Sequence, residues 1–148
     1  MRLLFGFGSL AMACLLLGFM PVNSFSMTTE ISTLNVLGTP LESCCFDPMT
    51  GWYRDGHCRT DESDRGLHLI CAQVTEEFLE FSRCQGNDLV TPRGSFPGLQ
   101  PGDSWCLCVS RWQEALVEGV APPVRLESTH IKALNYLSIE VLRQHAIK

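Results

Sequence analysis

A break in composition at Met27 decides how much of this chain is available to fold. Residues 1–26 carry a single charge, Arg2, ahead of an apolar run from Leu3 to Met20. From Thr28 onward the chain is polar, punctuated by turns and populated with cysteine, histidine and acid. The first stretch has the parts of a secretory signal: a positive residue, an apolar segment, and small residues at Val22-Asn23-Ser24 that fit a cleavage site. The apolar run approaches the roughly 20 residues that a membrane span needs. Gly6, Gly8 and Gly18 within it, and Pro21 at its end, favour a cleaved leader over an anchor. The expected organisation is a presequence at 1–24, a lead-in at 25–34 and one globular domain at 35–148. Removal of the leader leaves 124 of the 148 residues, one domain's worth. A domain of that size buries about two-thirds of its unfolded surface.

Cleavage after Ser24 exposes Phe25, followed by Ser26, Thr28 and Thr29 with no acid before Glu30. An aromatic residue and a hydroxyl-rich stretch behind a signal peptide resemble the bipartite presequences of algae with complex plastids. The resemblance implies entry into the secretory pathway and a plastid destination, with secretion or an endomembrane lumen as the alternative. After cleavage no membrane association is expected.

The remaining chain has 10 Lys plus Arg against 16 Asp plus Glu, a net charge of −6, and no cluster of basic residues. That balance repels polyphosphate and argues against nucleic-acid binding. Eight cysteines invite a disulfide framework, but Cys14 lies in the leader and the other seven are irregularly spaced. Cys106 and Cys108 sit two apart on an expected strand, about 6.5–7 Å between Cα atoms, at the limit of disulfide geometry. Adjacent Cys44 and Cys45 are equally poor partners. Mostly reduced thiols are therefore expected, as in a reducing compartment.

Local patterns give an outline of the elements. Leu34–Leu37 reads as an edge strand, and Asp47-Pro48, Thr50-Gly51, Asp55-Gly56 and Arg65-Gly66 make residues 43–66 a turn-rich loop. Leu67–Val74 reads as a buried strand. A helix starts after Thr75, with Glu76 and Glu77 against its positive end. Residues 87–102 form a second long loop. Trp105–Val109 alternates as a strand, Ser110 caps a helix carrying Trp112 and Ala115, and Pro122-Pro123 leads an extended segment through Glu127. Two short helices capped by Thr129 or Ser128 and by Ser138 close the chain. The expected class is α+β: one small mixed sheet, three to four flanking helices and two long turn-rich loops.

Many segments in order resemble one family. They are Asn35-Val36-Leu37-Gly38, Cys44, Asp47-Pro48-Met49-Thr50-Gly51, Arg54-Asp55-Gly56, Cys58, Gly66-Leu67-His68 and Cys71-Ala72. Thr75–Ser82, Gly86-Asn87-Asp88-Leu89, Phe96–Leu99, Pro101-Gly102-Asp103, Trp105–Cys108, Arg111-Trp112, Ala121–Val124 and Thr129-His130 continue the series. Together they cover about residues 35–146 and look like a small, mainly bacterial domain of unknown function, family 2237. The resemblance implies kinship with leaderless proteins of a reducing cytosol and offers no activity. Cys45, His57 and Cys84 lie outside its pattern.

The residues themselves offer three functions. Arg54, Asp55, His68, Asp88 and His130 are candidates for a polar pocket that binds a small molecule or a protein, with the long loops and the strand end at His130 as its walls. The preferred expectation is a soluble small-ligand-binding or accessory domain of this kind. The alternative is a small thiol-dependent hydrolase or transferase, with Cys71 as nucleophile and His130 as base. His68 is the weaker partner for Cys71, because residues an odd number apart on a strand face opposite sides. Cys44, Cys58, His68 and Cys71 are the set that would hold zinc or iron, but no C-x-x-C pair supports them and no cofactor is favoured. Cys106 and Cys108 share a face and are expected as core residues.

Overall fold

The computed structural model describes residues 33–148, so the leader and its cleavage site lie outside the described residues. The fold is α+β. Strand β1 (His68–Gln73) pairs antiparallel with β2 (Ser104–Cys108). Helix α1 (Glu76–Cys84) follows β1, α2 (Val109–Val117) follows β2, and α3 (Ile139–Gln144) lies near the C-terminus. Two 3₁₀ turns, Leu126–Ser128 and Ile131–Asn135, precede α3.

Each element follows from local chemistry. The Thr75 hydroxyl accepts a hydrogen bond from the Phe78 amide and starts α1, as expected, with Glu76 and Glu77 in its first turn. Phe78, Leu79 and Ser82 face inward from α1, and Val109, Trp112 and Ala115 from α2. Trp112 is fully buried, and its indole N–H donates to the Pro122 carbonyl at 3.0 Å. Buried Asn35 closes the first turn with its amide, donating to Thr39, Pro40 and Glu127 and accepting from the Leu37 and Thr39 amides. The apolar core joins these helices to Leu69, Ile70, Leu99, Val124 and Leu142.

The sheet is smaller than the sequence suggests: two antiparallel strands among the described residues. Leu34–Leu37 makes only isolated bridges, Leu34 with Pro40 and Asn35 with His130. The 124–127 segment also reaches β1 through one bridge, Ala72 to Val124, and meets Ala146 by a parallel one. Pro122 and Pro123 lack the N–H groups that a ladder needs, so pairing there is confined to Gln73 N–H with Pro123 and Arg125 N–H with the Cys71 carbonyl. Helix α2 is capped by Cys108, two residues before Ser110, because the Val109 amide is drawn to the Leu67 carbonyl across the sheet. The expected helix after Thr129 is the short 3₁₀ turn capped by His130.

The cysteines correct the expectation of mostly reduced thiols. Cys71 and Cys106 are cross-strand partners on β1 and β2, and the 43–66 loop lays Cys44 and Cys58 over them. Cys44 bonds Cys71 and Cys58 bonds Cys106, with Cα separations of 5.6 and 5.3 Å. Spacing along one strand rules out a Cys106–Cys108 bridge correctly, but it is blind to a neighbour on the next strand. Cys45, Cys84 and Cys108 stay free.

Candidate functional site

Free Cys108 ends β2 and is the N-cap residue of α2, so it sits at a strand-to-helix turn by the positive end of a nine-residue helix, with no side-chain cap hydrogen bond. Its register partner on β1 is His68. The ladder is irregular between His68 and Ile70, because Leu67 takes a left-handed backbone (φ 51°) and the Leu69 amide turns back to the Leu67 carbonyl at 2.8 Å. That kink turns His68 out of the regular alternation.

Behind the ring stands Asp64, whose side chain is fully buried. One carboxylate oxygen accepts from the His68 backbone amide at 2.9 Å, the other contacts ring Nδ1 at 2.6 Å. The Thr60 hydroxyl donates to the same carboxylate at 3.0 Å. Nδ1 is thereby committed to Asp64, and the Cys108 thiol lies beside the ring. A hydrogen bond to Cys108, then Asp64, holds the imidazolium against the opposing effect of burial and lifts His68 to about 9. His68 is therefore protonated at neutral pH. Gly66 covers the pair closely: a Cβ there would lie 2.6 Å from His68 Cε1 and 3.1 Å from both Nε2 and the Cys108 sulfur. Trp52 stacks on the imidazole, 5.7 Å between centroids.

His68 also walls a cavity of about 160 Å³ with Gly51, Trp52, Arg54, Trp105 and Cys106. A second cavity of about 190 Å³ adjoins it, and the two share Arg54 and Trp105. A larger, open groove runs beside α1 under Glu76, Glu77 and Glu80. None of the Asp64, His68 and Cys108 side chains lines that groove, whereas His68 of the three lines the cavity that holds Arg54.

Of the five expected pocket residues, Arg54 and His68 share a cavity and the other three serve local structure. Asp55 is ion-paired with Arg59 and accepts from the His57 amide. Asp88 closes an exposed turn through the Val90 and Thr91 amides and pairs with Arg93. His130 is fully buried and its Nδ1 accepts from the Lys132 amide, so the pocket expected at His130 does not form there.

The expected Cys71–His130 pair is also corrected, since Cys71 is in a disulfide and has no thiol to activate. The sulfurs of Cys44, Cys58 and Cys71 do lie within 4.8 Å of one another. His68 is not among them. As disulfides these sulfurs are not the thiolates that zinc or iron would take. Parity along β1 weighs residues of one strand alone, and the kink beside His68 breaks its alternation. What it misses is Cys108 on the neighbouring strand, whose sequence signal is a cysteine at the junction of a strand and a helix.

No curated protein matches the chain. The sequence model of one family does, over residues 34–146. That family is described as an uncharacterized protein conserved in bacteria (DUF2237), and the chain belongs to it.

Proposed function

We propose that the domain is a thiol-dependent acyl-transfer enzyme, a hydrolase or transferase, with Cys108 as nucleophile. The observation that carries this reading is the alignment of Asp64, His68 and Cys108, with the thiol at a helix N-terminus. A thiol beside an imidazolium and a helix start is the environment that activates cysteine. In the first step the thiolate forms a bond to the acyl carbon, and the leaving group departs with the proton from His68 Nε2. In the second, a water or acceptor hydroxyl gives its proton to Nε2 and attacks the thioester, and sulfur leaves as thiolate. Asp64 keeps Nδ1 protonated and the ring oriented throughout. The Ser110 and Arg111 amides in the first turn of α2 are the natural donors to a developing oxyanion, the Val109 amide being taken by the Leu67 carbonyl.

The binding-domain reading draws support from the Arg54–His68 cavity, which becomes the substrate site here. The plastid address belongs to the same proposal: a tagged full chain should colocalise with the plastid in an alga of the complex-plastid type.

The test uses the free cysteines as internal standards. Timed iodoacetamide alkylation with peptide mass spectrometry should label partly buried Cys108 ahead of exposed Cys84, and His68→Asn should reverse that order. Labelling in order of exposure, unaffected by His68→Asn, overturns the proposal.

A further inference from the structure

We infer that the substrate of the thiol site carries a carboxylate, and that Arg54 binds it. This rests on the reading of Cys108 as nucleophile for the word substrate, but the anion site stands on its own geometry.

Arg54 has a left-handed backbone (φ 53°), a conformation that side-chain-bearing residues rarely adopt. The turn enforces it: the Arg54 amide donates to the Gly51 carbonyl, and the Gly56 amide to that of Thr50. Cys44 and Cys58, on either side of the turn, are both locked to the sheet by disulfides. The strained residue is therefore held in place, and strain maintained by its surroundings is a signature of functional positions.

The guanidinium lies over the Trp105 ring, 5.0 Å from its centroid. Arg59, Arg83, Arg93 and Arg111 each pair with a carboxylate; the Arg54 guanidinium makes no ion pair among the described residues. It stands instead at the shared wall of two cavities, one of which is also walled by His68. A guanidinium fixed in position presents a planar fork matched to a carboxylate. Two features choose a carboxylate over a phosphate. The chain's charge of −5 opposes a dianion more than a monoanion. A cavity of about 160 Å³ also suits a small, planar group that faces the guanidinium fork. The inferred class is a short-chain ester, thioester or amide whose far end is a carboxylate.

The probe is monomethyl succinate, which joins a carboxylate to an ester carbonyl, with dimethyl succinate as its neutral control. Two readouts are taken on the folded protein: protection of Cys108 from iodoacetamide, and the ¹⁵N shift of the Arg54 guanidinium. Monomethyl succinate should slow Cys108 labelling several-fold and move the Arg54 resonance, and dimethyl succinate should do neither. Arg54→Gln should abolish the discrimination and Arg54→Lys restore part of it, with circular dichroism confirming that both variants fold. Cys108→Ser should still show the Arg54 shift. Fast Cys108 labelling with no effect of monomethyl succinate, or equal effects of the two esters, overturns the carboxylate site and leaves the thiol reading standing. An unreactive Cys108 beside an Arg54 that still responds selectively defeats the thiol reading and upholds the site.

Discussion

Removal of the Cys44–Cys71 bridge by the double substitution Cys44→Ala, Cys71→Ala tests how the 43–66 loop is held. The bridge closes a separation of 27 residues. In the chain-entropy account a loop of that length contributes about 3.5 kcal/mol by restricting the unfolded chain. Both sulfurs are buried, so their loss adds a packing penalty of about 1 kcal/mol or more. Native domains are stable by only about 5–15 kcal/mol in total. The variant should therefore melt lower by roughly 18 °C, at about 4 °C per kcal/mol for a domain of this size. Urea titration followed by far-UV circular dichroism gives the free energy, and wild type treated with dithiothreitol supplies the control that keeps the sulfur volume. The Cys58–Cys106 bridge spans 48 residues, so its removal should cost slightly more, about 4 kcal/mol. The two loops overlap in sequence, so their effects should not add. A loss below about 1 kcal/mol, or wild type equally stable in dithiothreitol and in air, refutes the view that these bridges tie the loop to the sheet.

Three further outcomes follow from the site. Asp64→Asn removes a buried charge that holds His68 by both its amide and its ring. It should lower stability by about 2–3 kcal/mol and slow Cys108 alkylation severalfold; an unchanged rate would remove Asp64 from the mechanism. His68, lifted from 6.5 to about 9, lends stability that is complete below about pH 6.5 and is lost as pH rises toward 9. The gap in urea stability between wild type and His68→Asn should narrow over that window, by well under the roughly 3 kcal/mol of the full shift because water screens the partly exposed ring, and a constant gap contradicts the pairing. Gly66→Ala places a Cβ against the His68 ring, so it should cost about 1–3 kcal/mol and slow Cys108 labelling even where the protein remains folded.

Much of the scaffold was legible because it is written in short-range chemistry. Thr75 and Ser138 cap the helices they were expected to cap, each hydroxyl accepting the amide three residues on. The strand near 67–74 appears as His68–Gln73, and the turn-rich segments at 43–66 and 87–102 carry no helix or ladder strand. The failures lie where a second segment intervened. Ser110 is a sound cap on its own, but the Leu67 carbonyl claims the Val109 amide and moves the helix start to Cys108. His130 looked like a functional residue at a strand end and is instead a buried cap, because the turn it starts packs against β1.

The chain by itself determined its α+β class, its principal helices, its family and the presence of Arg54 and His68 among the chemically interesting residues. Spacing along one strand could also say which cysteines do not pair. Only the tertiary structure decided which ones do, and which thiol is left to react. Cys71 finds Cys44, Cys106 finds Cys58, and Cys108 finds His68. The reason is physical: a strand's own alternation fixes the face of each residue, but its partner depends on which distant loop or neighbouring strand folds against that face. Asp64, one of several acids near His68 in the sequence, became the buried acid of the site because the loop closed over it.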